Sequence, residues 1–179
     1  KSFIVNSGIS EYENSDLRLF QRSTSAHSTL NINDISSSEI WSSFRVANRA
    51  KIVNFEVDHI NLHLVSSHNG YSSKFKGLLH KRKCTFFKDK FQIDDELSRF
   101  VNDAKVYYYI HPKWQIECVV DGFICRYNST QILISSSSKK IKLSKSKYYP
   151  QFYTEVPNYR IEYSLSNLKL STQFEILNL

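Results

Sequence analysis

The chain has 179 residues, 41% hydrophobic and 14% aromatic, with a formal net charge of +7 and a pI near 9.3. That length suits one domain that needs no disulfide or metal staple, and no apolar run approaches the ~18 residues of a membrane-spanning helix. Cys84, Cys118 and Cys125 are too few and too irregularly spaced for a disulfide framework or a zinc knuckle. The basic balance calls for an anionic partner without choosing among nucleic acid, acidic glycan and anionic membrane.

Residues 2–6 (SFIVN) read as a first strand, with a turn at Gly8 before Tyr12 and the acidic Glu11, Glu13 and Asp16. Leu17, Leu19 and Gln21 then alternate with Arg18, Phe20 and Arg22, the period of a strand. Residues 22–49, RSTSAHSTLNINDISSSEIWSSFRVANR, gather the candidate chemistry of the chain: Arg22, His27, Glu39, Trp41, Arg45 and Arg49 among small polar residues. Leu30 and Ile32 alternate with Asn31 and Asn33, so His27 is predicted to open a half-buried strand. Residues 36–38 are a serine loop, after which residues 39–41 and 44–46 resume the alternation.

Residues 50–57 and 60–65 predict a hairpin about Asp58 and His59, with His59 and His63 structural or facing solvent. His68 ends the second of these strands, where Asn69-Gly70 demands a tight turn and leaves the imidazole near solvent. Residues 79–87 and 90–97 predict a second hairpin about Lys88 and Asp89. Residues 106–110 carry three consecutive tyrosines into His111-Pro112, where proline ends the pairing. Short strands follow at 114–120, 123–127 and 131–135, then Ile141 and Leu143 in a lysine-rich run, then clean alternation at 159–165 and 172–177. The lysines of 74–90 and 139–147 read as solvated strand edges guarded against aggregation. Cys118 and Cys125 flank a turn at Asp121-Gly122, either facing each other across a hairpin or, as free cysteines usually do, buried separately. No stretch sustains a helical period over ten residues. The chain is therefore expected to be all-β, a large antiparallel β-sandwich of two packed sheets with little helix, forming one domain over residues 1–179.

Several tracts carry a resemblance. Arg22-Ser23-Thr24, His27-Ser28-Thr29, Ser38-Glu39-Ile40-Trp41 and Phe44-Arg45-Val46-Ala47-Asn48-Arg49-Ala50 resemble the run R-S-T-x-x-H-N-T…S-E-[VI]-W-x-x-F-R-V-x-R-[RK]-A of the C-terminal sandwich domain of heparinase II/III-like polysaccharide lyases. Ser67-His68-Asn69-Gly70-Tyr71 is similar to that family's S-H-D-G-Y. His80-Lys81-Arg82 and Ile93-Asp94-Asp95-Glu96-Leu97 look like its H-x-R strand and I-x-D-E-[LI] partner, and His111-Pro112 and Tyr148-Tyr149-Pro150-Gln151-Phe152 match its later tracts. Ser28 stands where the family has asparagine, so an amide that could bind a sugar carboxylate is missing.

The resemblance implies a lyase of acidic, uronate-containing polysaccharide acting by β-elimination, with this chain as one wall of a cleft. The other wall is an N-terminal helical toroid of the same parent. The toroid's Asn and Tyr have no counterpart here, and the sequence lacks Met, so the chain is expected to be a piece of a longer product and inactive alone. A secreted or periplasmic parent is implied. β-Elimination needs a base, an acid for the leaving oxygen and donors for the sugar carboxylate. Histidine suits the first two tasks and the bidentate arginine fork the third. His27, His68 and His111 are the catalytic candidates; Arg22, Arg45, Arg49, Trp41 and Tyr71 are the substrate-binding ones. Glu39 is expected to fix the fork of Arg45 or Arg49 from behind. The chemistry requires no cofactor; zinc or calcium held by His27 and His68 is an option that some relatives suggest, with Asp34 and Glu39 poor candidates for the acidic ligand. Against these readings, a strand-end histidine more often serves packing and a tryptophan more often the core. The alternative function is a non-catalytic glycan-binding or structural module using Trp41, Tyr71 and Trp114. No nucleic-acid reader motif is present.

Overall fold

The computed structural model describes residues 2–177. Its strands are β1 (Ile4–Val5), β2 (Leu30–Ile32), β3 (Glu39–Trp41), β4 (Arg45–Ala47), β5 (Ile52–Asp58), β6 (His63–His68), β7 (His80–Phe86) and β8 (Lys90–Leu97). They continue as β9 (Ala104–Ile110), β10 (Gln115–Val119), β11 (Gly122–Tyr127), β12 (Thr130–Ser136), β13 (Ile141–Tyr148), β14 (Val156–Ser164) and β15 (Lys169–Ile176). Eight strands form one antiparallel sheet in the order β10-β11-β12-β15-β8-β7-β6-β5. A smaller sheet runs β1-β9-β14-β13, with β2 also paired to β9, and β3 and β4 make a separate hairpin. This is the antiparallel sandwich that the succession of period-two runs predicts.

The layers meet through side chains from both sheets. Leu30, Ile32, Val106, Tyr108, Ile161 and Tyr163 come from the small sheet; Ile93, Leu97, Phe123, Ile134, Leu170 and Phe174 come from the large one. Phe174 stacks on Phe91 at 4.4 Å between ring centroids and meets the edge of Tyr108 at 5.2 Å. Tyr107, Tyr108 and Tyr109 are all buried because β9 is covered on both faces, which turns alternation into a continuous apolar run. Tyr108 enters the core, whereas the Tyr109 hydroxyl donates to the Ser25 carbonyl and the Tyr107 hydroxyl to Asp34. The segment carrying His27 is thus laid over the outer face of the small sheet.

Three expectations are corrected. Asp16–Arg22 is an α-helix, α1, not a strand: the Ser15 hydroxyl caps the Arg18 N–H, Asp16 sits in the first turn, and the buried Arg18 and Gln21 are three apart. His27 does not open a strand but follows a 3-10 turn, Thr24–Ala26, three residues before β2. Cys118 is exposed and pairs in register with Phe123, while Cys125 is buried opposite Ile116. The lysine-rich run is the eight-residue strand β13, which lies at the edge of its sheet as a lysine-guarded strand should.

Candidate active site

His27 sits on a backbone pinned from both sides. The preceding Ala26 carbonyl accepts the Ser7 N–H at 2.9 Å. The following Ser28 uses every polar group it has. Its N–H donates to Asn6 Oδ1 (3.1 Å), its hydroxyl donates to the Val5 carbonyl (2.7 Å) and accepts the Tyr109 N–H (2.9 Å), and its carbonyl accepts Arg82 Nη1 (2.8 Å). Ser28 therefore staples β1 to β9 at the gap between β1 and β2, and its side chain faces the sheet rather than a ligand. The His27 imidazole is half-buried and has no hydrogen bond or ring contact among the described residues, and burial lowers its pKa below the ordinary 6.5. It is an imidazole on a fixed frame whose burial favours the uncharged form.

Behind Ser28 lies a chain of polar groups built by strand register. β6 sets His68 opposite His80, and β7 sets Arg82 opposite Asp95 on β8. The Gly70 N–H donates to His68 Nδ1 (3.1 Å), His68 Nε2 meets His80 Nδ1 (3.0 Å), and His80 Nε2 meets Asp95 Oδ1 (2.7 Å). Arg82 closes on the same carboxylate with Nε and Nη2 at 2.8 and 3.0 Å. Because the Gly70 N–H needs an acceptor at His68 Nδ1, the proton of His68 is on Nε2. It then faces His80 Nδ1, which leaves the His80 proton on Nε2, pointing at Asp95. The buried charge pair is Arg82 with Asp95, and both histidines are neutral links. Burial of Asp95 would raise its pKa, but the charge of Arg82 and the hydrogen bonds from His80 and Arg82 outweigh this and hold it at about 2. Burial first, and the nearby Arg82 charge with it, push His68 down to about 4.

The other candidates are placed as follows. His111 ends β9, packs on Tyr148 at 5.4 Å and accepts the Lys113 N–H at Nδ1; burial and Lys113 lower its pKa. Among the described residues no hydrogen bond or ring contact joins His27, His68 and His111 to one another; the direct histidine pair is His68 with His80. The Arg22 guanidinium donates to the carbonyls of Trp41, Ser42 and Arg45, so its fork holds the β3–β4 hairpin. Tyr71 is 0% exposed with its hydroxyl on the Leu30 carbonyl, so it has no face to offer a sugar. Glu39 accepts Asn48 Nδ2 at 2.7 Å instead of pairing with Arg45 or Arg49. Arg45, Arg49 and Trp41 are exposed, and Arg49 lines a depression of about 400 Å³ with Asn48, Lys51 and Gly70.

The zinc or calcium option does not fit these side chains. Both ring nitrogens of His68 are engaged, and among the described residues no three His, Cys, Asp or Glu groups are arranged to hold a metal ion. The linkage of His80, Arg82, Asp95 and Ser28 is what sequence reasoning missed. The signal was available: residues 80–83 (HKRK) are polar on both faces of a strand, so a buried face must find partners, and the antiparallel partner offers Asp95.

The family described as heparinase II/III-like, C-terminal, matches residues 1–176. Among solved structures, the "Heparinase III-BT4657 gene product" superposes with a TM-score of 0.76 at 16% identity, over 99% of this chain and 28% of that one. The heparan sulfate lyase HepC from Pedobacter heparinus gives 0.71 at 16% identity, over 100% of this chain and 29% of that one. At such identities the likeness is one of fold, and the chain spans under a third of either structure. No curated protein matches it by sequence.

Proposed function

Since the chain belongs to the heparinase II/III-like C-terminal family, we propose that it forms one wall of the active-site cleft of a polysaccharide lyase cleaving uronate-containing chains by β-elimination. In that reaction a base removes the proton on the carbon bearing the carboxylate. The electron pair forms a carbon-carbon double bond, and the 4-linked oxygen departs with a proton. His27 supplies acid-base help, and Arg45 and Arg49, which make no ion pair among the described residues, neutralise the carboxylate as charge develops. Trp41 lies exposed opposite Arg45 on the β3–β4 hairpin. Arg82 and Ser28 act through position, fixing the backbone on which the imidazole is carried.

The observation that carries this reading is the contrast at residues 26–28. The backbone is pinned on both sides of His27, while the imidazole between the pins is bare. Proteins restrain a backbone this closely where a side chain must be held ready. The opposite wall, with its own proton-transfer groups, belongs to the N-terminal part of the parent, so the 179-residue chain alone is expected not to turn over. In the complete protein, His27→Ala is expected to lower the growth of unsaturated-uronate absorbance about 10²-fold with unfolding unchanged. Turnover within threefold of wild type would remove His27 from the chemistry.

A further inference from the structure

Beside α1, around Arg18, the molecule exposes aromatic rings in one contiguous patch. Tyr12 is 51% exposed, Phe44 66%, Phe152 44% and Tyr153 84%. Tyr12 touches Phe44 at 5.5 Å and Phe152 at 4.7 Å between centroids, and Phe152 touches Tyr153 at 6.3 Å. Tyr153 is held outward at a positive φ of 57°, unusual for an aromatic residue, with its N–H on the Ser10 carbonyl. Large exposed aromatics that touch one another mark binding surfaces more often than chance.

A second, independent feature lies beneath the rings. Arg18 is only 6% exposed; its Nε donates to the Ser43 carbonyl at 3.2 Å, but its buried Nη1 has no hydrogen-bond partner among the described residues. The guanidinium carbon lies 5.0 Å from the Tyr12 ring centre and 5.6 Å from that of Phe44. A buried guanidinium donor without a partner is costly, and the rings satisfy it only in part. Arg22, one helical turn on, has its pKa lowered by burial first and by the charge of Arg18 next. Among the described residues no carboxylate is paired with Arg18. A surface with aromatic faces and an unmet cationic donor is complementary to a sugar ring that bears an anionic group.

We propose that Tyr12, Arg18, Phe44, Phe152 and Tyr153 form a subsite for an acidic sugar residue, the sugar's C–H face lying on the exposed rings and its carboxylate or sulfate taking Arg18 Nη1. Nη1 is buried beside the rings of Tyr12 and Phe44, so the anionic group reaches it as the rings shift to take the sugar. The subsite rests on the reading of the ligand as an acidic polysaccharide, but not on His27 being catalytic. In the chain, α1 carries Arg18 and leads through the 3-10 turn Thr24–Ala26 to His27.

The test is titration of the 179-residue chain with a heparan sulfate oligosaccharide and with an uncharged maltooligosaccharide of equal length, by calorimetry and amide chemical shifts. Binding of the sulfated chain, weaker binding of the uncharged one, and shifts centred on residues 10–18, 42–45 and 151–154 are expected. Phe44→Ala and Phe152→Ala should each weaken binding about tenfold, as truncation of a central aromatic contact does. Arg18→Gln should erase the preference for the charged ligand. Phe55→Ala, which removes an equally exposed ring on the remote strand β5, should leave affinity unchanged. Phe44→Ala binding as tightly as Phe55→Ala, no binding by the wild type, or patch shifts elicited only by the parent's N-terminal portion would overturn the subsite. The last outcome would make the patch a protein interface. Loss of the subsite leaves the His27 turnover test standing. Conversely, Phe44-dependent binding together with His27-independent turnover would keep the subsite and remove the catalytic role of His27.

Discussion

Two regions of this protein invert the usual sorting of residues, in opposite directions. Between the sheets, where apolar side chains belong, His68, His80, Asp95 and Arg82 form a hydrogen-bonded chain, with Asp95 0% exposed. On the surface beside α1, where polar side chains belong, Tyr12, Phe44, Phe152 and Tyr153 stand in solvent. The interior chain is satisfied, each ring nitrogen and each carboxylate oxygen having a partner, so its effect is to fix geometry. The surface patch is unsatisfied, with bare rings and a partnerless Arg18 Nη1, so its effect awaits a ligand. In these two regions, complete satisfaction goes with a structural device, and the partnerless Nη1 is what the proposed subsite uses. His27 combines both, with a saturated backbone and a bare side chain.

This comparison predicts large stability effects in the interior and small ones at the patch. Asp95→Ala leaves Arg82 and His80 buried without their acceptor and should cost about 3–5 kcal/mol, measured by urea unfolding. A loss below about 1 kcal/mol would mean that the chain is not a structural device.

Acid provides the next largest effect. The His68 pKa falls from 6.5 unfolded to about 4 folded, so its contribution is fully present above pH 6.5 and is lost as pH drops through 4. Asp95, depressed from 3.8 to about 2, contributes fully above about pH 4 and loses its contribution as pH falls through 2. Urea midpoints should therefore be level above pH 7, fall from pH 6.5 to 4, and fall further below. His68→Gln should flatten much of the first fall, leaving the parts due to His27 and His111, whose pKa values are lowered in the same direction. A wild-type midpoint unchanged from pH 7 to pH 4 would contradict the neutral, buried state assigned to His68.

Smaller still, Tyr71→Phe removes one buried hydroxyl from the Leu30 carbonyl and should cost about 1 kcal/mol. At the patch, Phe44→Ala should change unfolding by no more than about 0.5 kcal/mol, the range of an ordinary surface substitution. A loss of several kcal/mol there would make the rings part of the core and end the contrast.

The sequence by itself determined the sandwich, because strand periodicity is local. Alternation in residues 159–165 and 172–177 and the turns at Lys88-Asp89 and Asp121-Gly122 specify which faces are buried without reference to distant residues. It also determined the family, through tracts spread from residue 22 to residue 152. What it could not decide were contacts between residues far apart in the chain. Arg22 looked like a substrate ligand until the β3–β4 hairpin brought three carbonyls to its fork, 19 to 23 residues away. Tyr71 looked available until β2 closed over it across 41 residues. The helix at Asp16–Arg22 read as a strand because seven residues are too few to separate the two periods; its cap and the burial of Arg18 and Gln21 settled it. Ser28 read as the loss of a ligand, whereas the pairing of β1, β9 and β7 around it makes it a staple. A polar side chain has no fixed destination in sequence, since its role depends on which partner the fold delivers to it. An apolar side chain needs only to leave water.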